Sequence, residues 1–190
     1  MQIKDGTGKG FLAKVNKDNQ LVTRAVSVEQ RLKSALNDNY FEVTTGIINL
    51  ANAVATPILY LKNDNVDKSI IIDRVFYDTF TSVSGVGSGK LLYVKNPTIA
   101  GGTDIVPNIC NFGSNQTAEG TFKKSLTTMT GTTFWTASIL EESSAALEEG
   151  RIVLPVGSSI GIIITAPTSN TDMDIAVNIG FYYFDIDLVE

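Results

Sequence analysis

From residue 40 onward, apolar and polar positions alternate in short runs broken by Gly, Asn, Asp, Ser and Pro. Period two is the signature of a strand with one buried face. The pattern predicts strands over 40–50, 54–62, 69–80, 90–94, 104–112, 122–129, 132–140, 151–156, 159–165 and 174–187. The segment 69–80 is the strongest, because Ile70, Ile71, Ile72, Val75, Phe76 and Tyr77 supply β-branched and aromatic side chains. The run from Ile175 to Phe184 is too apolar for an exposed edge and is expected at the centre of a sheet. About ten short strands spaced by turns predict an all-β fold, an antiparallel β-sandwich or barrel.

The first 39 residues read differently. Two short β-like pieces, 11–15 and 20–26, flank the turn cluster Asn16-Lys17-Asp18-Asn19 and predict a hairpin. Gly6, Gly8 and Gly10 favour an extended lead-in. A short helix follows, with Ser27 as N-cap, Gln30 as its capping-box partner, and Val28, Leu32 and Leu36 on one face. The chain therefore divides into a basic arm with hairpin and helix (1–39) and a β-body (40–190). In the body, Glu141 to Glu149 is the one stretch with helical character, ended by Gly150.

Charge sharpens that division. Residues 1–37 hold seven Lys or Arg against three acids, a net of +4; the rest holds eight against seventeen, a net of −9. A basic arm on an acidic body is the pattern of a partner-binding extension. The acidic body has too few clustered cations to bind nucleic acid, and in the arm only Phe11 interleaves with the bases. The longest apolar run, near residues 160–166, is far short of a membrane span, and the first residues lack the apolar core of a secretory signal. Neither a membrane partner nor secretion is expected.

Candidate chemistry is thin. The chain has no histidine, which removes the commonest general base and most zinc sites. Cys110 is the only cysteine; it can form no internal disulfide and reads as a small core hydrophobe. Carboxylates could still act in pairs, but Glu141, Glu142, Glu148 and Glu149 lie in polar sequence that reads as a solvated face. Asp73, Asp78 and Asp174 alternate with apolar residues, as outward or strand-end side chains do. The stretch from Gly85 to Leu91 has the wrong spacing for a phosphate-binding loop. Asn63-Asp64-Asn65-Val66-Asp67 lacks the Gly and the bidentate Glu of a calcium loop and reads as a hairpin turn. Phe134 and Trp135 are expected on opposite faces, one buried, both serving packing or subunit contact.

Two stretches carry a family likeness. The run from Asp5-Gly6-Thr7-Gly8-Lys9-Gly10 through Ala13-Lys14-Val15 and Asn19-Gln20-Leu21 resembles the opening of tailed-bacteriophage virion proteins. The run from Gly150 to Ile162 and the Phe181-Tyr182-Tyr183-Phe184 ending resemble the last strands of a jelly roll. Such proteins include capsid decoration and auxiliary head proteins, usually homotrimers. The resemblance implies a jelly-roll sandwich and a structural role in the virion, after synthesis in the host cytoplasm. It carries no catalytic residue, cofactor, metal or small-molecule substrate. The expected partners are further copies of the chain and the major capsid protein or another virion protein. In this reading the arm docks on the shell, through charge contacts from Lys4, Lys9, Lys14 and Lys17 and backbone pairing of Phe11 to Val15. Two alternatives stand beside it. One is a tail or fibre receptor-binding module holding host carbohydrate on Trp135 or Tyr93; the other is a carboxylate-only enzyme acting on polysaccharide.

Overall fold

The computed structural model describes residues 14–15, 21–22, 30–80, 89–139, 152–168 and 172–185. In chain order the elements are β1 (Lys14–Val15), β2 (Leu21–Val22), α1 (Gln30–Leu36), β3 (Tyr40–Thr44), β4 (Ile48–Leu50), β5 (Ala55–Asn63), β6 (Lys68–Thr79), β7 (Gly89–Asp104), β8 (Asn108–Ile109), β9 (Gly120–Ile139), β10 (Ile152–Leu154), β11 (Ser159–Thr165) and β12 (Met173–Asp185). The fold is all-β with one short helix.

The hairpin expected near the start is present in its paired centre, with Lys14 opposite Val22 and Val15 opposite Leu21. The short helix is present and closes at Asn37–Asn39 as expected. Its described part begins at Gln30, and the face with Leu32 and Leu36 points outward while Ser34 is buried. The cause lies at its C-terminus. Asp38 takes a left-handed conformation (φ 56°), the Asn39 N–H donates to the Ser34 carbonyl, and the Asp38 N–H donates to that of Ala35. This pair of bonds is the Schellman closure. It turns the chain into β3 after three residues, so the position of the strand dictates which helical face meets the body.

The strands form two antiparallel sheets with jelly-roll connectivity. Sheet one has the order β10-β6-β12-β3-β8, with β4 also beside β12; sheet two has the order β5-β11-β7-β9. The chain passes between the sheets at nearly every step: β3 to β5, β6 to β7, and β9 to β10, β11 and β12 in turn. As expected, β12 is central, paired with β6 on one side and with β3 and β4 on the other. Its inward residues Ile175, Val177, Ile179 and Phe181 are fully buried. Across the gap, Phe181 stacks on Phe41 of its own sheet (5.7 Å) and on Phe122 of sheet two (5.5 Å), so one aromatic column joins the layers.

Several strand boundaries differ from the sequence reading. Gly46 (φ 62°) splits 40–50 into β3 and β4. The region 104–112 yields only the two-residue β8. The two strands expected over 122–140 are one continuous β9, because Thr130 and Thr132 both stay paired with β7, opposite Thr98 and Lys95, across a register shift at Asn96 and Pro97 instead of a turn. β9 is long enough to do two jobs. Its first part pairs with β5 (Leu59 opposite Lys124 through Asn63 opposite Gly120), and the stretch from Lys123 to Ile139 pairs with β7. Sheet two therefore closes on itself as a barrel. A second, smaller core of Tyr60, Val94, Leu126 and Met129 fills the fold of this ribbon.

This arrangement makes the two flanks of the sandwich unequal. On the β3/β5 flank, β8 covers the edge of β3, and the first part of β9 covers the edge of β5. Ile105, Ile109 and Ala118, from the segment between β7 and β9, pack against the main core there. On the opposite flank, β10 ends sheet one, and the second part of β9, beyond its pairing with β5, is bonded to β7 alone. Among the described residues nothing pairs with the outer side of either strand.

Candidate functional site

The open flank carries two exposed aromatic side chains of the body, Phe134 and Trp135, while Phe80 and Phe112 are exposed elsewhere. Tyr93 of β7 faces Trp135 of β9, but the next pair is Val94 with Thr133, which leaves Phe134 as an extra, bulged residue. A bulge suspends strict alternation. Phe134 and Trp135 consequently both contact Tyr93, at centroid distances of 6.2 and 5.3 Å, instead of taking opposite faces. Both are exposed, 47% and 37%, which corrects the expectation that one would be buried. Tyr93 lies beneath them at 3% exposure and is not the accessible ring the carbohydrate alternative required. Burial, with a smaller effect from Tyr77, holds its phenol well above the usual range, so it stays protonated.

Phe134 forms one wall of a groove of about 430 Å³ between the two edge strands. Ile152, Val153, Leu154 and Pro155 form the other wall, with Lys95, Asn96 and Ser158 at the polar side. Val153 and Val156 are about half exposed. Asn96 takes a left-handed conformation (φ 43°), and its side-chain oxygen accepts the Ser159 N–H at 2.8 Å. That bond ties β7 to β11 at the floor of the groove.

A second cleft of similar size lies at the sealed flank, lined by Asn37, Asp38, Asn39, Asn65, Gln116 and Glu119 over Phe41 and Tyr183. Its polar groups satisfy one another. Asn65 Nδ2 donates to Glu119, the Tyr183 hydroxyl to the Glu119 carbonyl (2.8 Å), and Asn111 Nδ2 to Asp38. The cleft is built as a structural network, with its hydrogen-bonding capacity turned inward.

Of the arm residues expected to contact a partner, Lys14 and Val15 form β1. Lys4, Lys9, Phe11 and Lys17 lie outside the described residues, as do Glu141, Glu142, Glu148 and Glu149. Cys110 corrects its reading as a core residue. It is half-buried beside β3, with its N–H donating to the Tyr40 carbonyl, because β8 ends just before it. Burial raises its thiol pKa, and the charge of Arg74 partly opposes that. Asp73 is the extra residue of a bulge opposite Gly180 and Phe181; it is buried and accepts the Tyr40 hydroxyl at 2.6 Å. Asp174 accepts Asn49 Nδ2 at 2.9 Å near the start of β12. The Asn63–Asp67 stretch is the hairpin turn expected, held by the Asn65 oxygen accepting the N–H groups of Asp67 and Lys68. Among the described residues no three His, Cys, Asp or Glu side chains converge to hold a metal ion.

Asn63 was not singled out by sequence reasoning, although it organises one end of the sandwich. Fully buried, it donates from Nδ2 to the carbonyls of Lys68 and Leu154, and its side-chain oxygen accepts the Asn65 N–H. Its backbone N–H and carbonyl pair with Ser158 and Gly157. The bonds join the β5–β6 turn to the β10–β11 turn. In sequence it looks like any Asn of a turn cluster; only its place at the end of an apolar strand hinted otherwise. No protein-family model matches this chain, and no curated protein does either.

Proposed function

We propose that this protein is a structural, accessory component of a virion, which assembles with its own copies and docks on a capsid shell through its basic arm. The observation that carries the reading is the placement of apolar side chains. The jelly-roll interior is filled, yet Leu32 and Leu36 on α1, Phe112 on the loop after β8, and Phe134, Trp135 and Val153 on the open flank all face outward. Apolar patches left outside a complete core mark surfaces meant for other protein. The paired β1 and β2 add a short β-element to the basic segment, in keeping with an arm that docks by strand pairing and charge. The receptor-binding alternative rests on Trp135 alone, since Tyr93 lies under it.

Sedimentation of labelled protein with shell particles tests the docking step. Changing Lys4, Lys9, Lys14 and Lys17 together to Ala removes four charges, each worth ~0.2–1 kcal/mol as a surface ion pair with the partner, so binding weakens by roughly tenfold to thousandfold. Added salt reproduces part of that loss. Ala13→Pro weakens binding independently of salt by removing a backbone donor. Unchanged binding by both variants would overturn docking through the arm.

A further inference from the structure

We infer that the open flank is the self-association surface of this protein: β9 of one copy meets β9 of a second copy, anchored by Phe134 and Trp135. The inference rests on the self-assembly part of the reading above and gives it a location. Residues 130–136 of β9 are exposed throughout. Free strand edges are templates for another chain, and soluble proteins blunt them with Lys, Pro or inward charges. From Ser125 to Ile139, β9 contains no charged residue and no proline. The facing stretch from Ile152 to Thr165, which holds β10 and β11, also carries no charge.

That neutrality selects the occupant. The chain beyond residue 37 carries a net −9, whereas the stretch from Ser125 to Ile139 brings no like charges together against a second copy. A nucleic acid or a charged shell would find only Lys95 among the charged side chains lining the groove. A two-fold axis across β9 sets the strand antiparallel to itself and brings its threonine-rich edge against the same edge of the second copy, where Thr–Thr pairs across strands are favourable. The bulge contributes as well. It brings Phe134 and Trp135 to the same side, next to the groove at Val153, so each copy offers an aromatic anchor and a recess.

Sedimentation velocity on the full chain from about 1 to 100 µM tests this. The expected mass is at least twice the 20.4 kDa of one chain. Phe134→Glu is expected to weaken association by about a hundredfold or more. Val153→Lys, at a half-exposed side chain, is expected to act in the same direction without touching the aromatic contact on Tyr93. Near-ultraviolet circular dichroism confirms that each variant is folded. Amide exchange in β9 should be slower in the associated protein than after dilution. A monomeric wild type over the whole range overturns the inference, as does unchanged association by both folded variants. Association lost with Ala13→Pro but kept with Val153→Lys also overturns it, because a neighbour's arm would then be the occupant. Particle binding separates the two readings. A monomeric Val153→Lys protein that still docks bears out this surface alone, and a wild type that associates but never docks sinks the virion reading instead.

Discussion

The two flanks of the sandwich solve the same problem in opposite ways. Each is a place where two sheets end and the core would meet water. At the β3/β5 flank the chain covers itself: β8 pairs with β3, the first part of β9 pairs with β5, and Ile105, Ile109 and Ala118 pack beneath. At the other flank β9 and β10 end without partners among the described residues, and aromatic side chains stand at the rim. The difference separates two uses of one residue type. Phe122 at the sealed flank holds the fold, whereas Phe134, twelve residues along the same strand, is free for contact with another molecule.

The largest expected effect follows from that pair. Phe122→Ala removes a ring stacked on Phe181 in the main core and should cost about 3–5 kcal/mol, lowering the midpoint of thermal unfolding by roughly 10 °C. Phe134→Ala should stay within about 1 kcal/mol of wild type in the monomer. Differential scanning calorimetry checks both, and equal losses would break the comparison. A smaller effect is expected from Asn63→Ala. It leaves the carbonyls of Lys68 and Leu154 without their donor, at a cost of roughly 2–4 kcal/mol. Because Leu154 is the last residue of β10, exchange in β10 should quicken more than in β5, which sharpens the picture of β10 as an edge held from one end. The smallest effect concerns Cys110 on the sealed flank. With its thiol pKa raised, less thiolate is present near neutral pH, so its reaction with a disulfide reagent should lag a free cysteine and accelerate only above the ordinary thiol range. Reaction at the rate of a free thiol at pH 8 would show that this flank is open too.

Much of this architecture could be read from the residues. β11 was expected over 159–165 and occupies Ser159–Thr165, because a β-branched run interrupted only by Gly161 and bounded by Gly-Ser and Ala-Pro leaves little else possible. The central place of β12 followed from its apolar run. What escaped was set by tertiary contact. Thr130-Gly131-Thr132 resembles a turn, but Gly131 stays in the strand because Val94 and Pro97 press onto its α-carbon, where a Cβ would come within 2.7 Å of Val94. The bulge at Phe134 has no local signal, since an extra residue is defined only against a partner strand. The direction of the helix face was illegible for a similar reason: spacing identifies a stripe, but the three-residue passage into β3 decides where it points. The aromatic pair of the candidate site was legible as chemistry; its shared orientation was not.

The central strand has a consequence for how the molecule comes into being. β12 is the last of the described strands to be synthesised, yet β6 and β3, made more than ninety residues earlier, both depend on it for a neighbour. Until it arrives, sheet one has a gap at its middle, and two apolar strands wait with unpaired edges. Pairings of such high sequence separation form slowly, because loop closure must precede any reward. The incomplete chain therefore passes through a period in which its most sheet-prone surface is also its least protected, and chaperone occupancy should be greatest on nascent chains that stop short of residue 173.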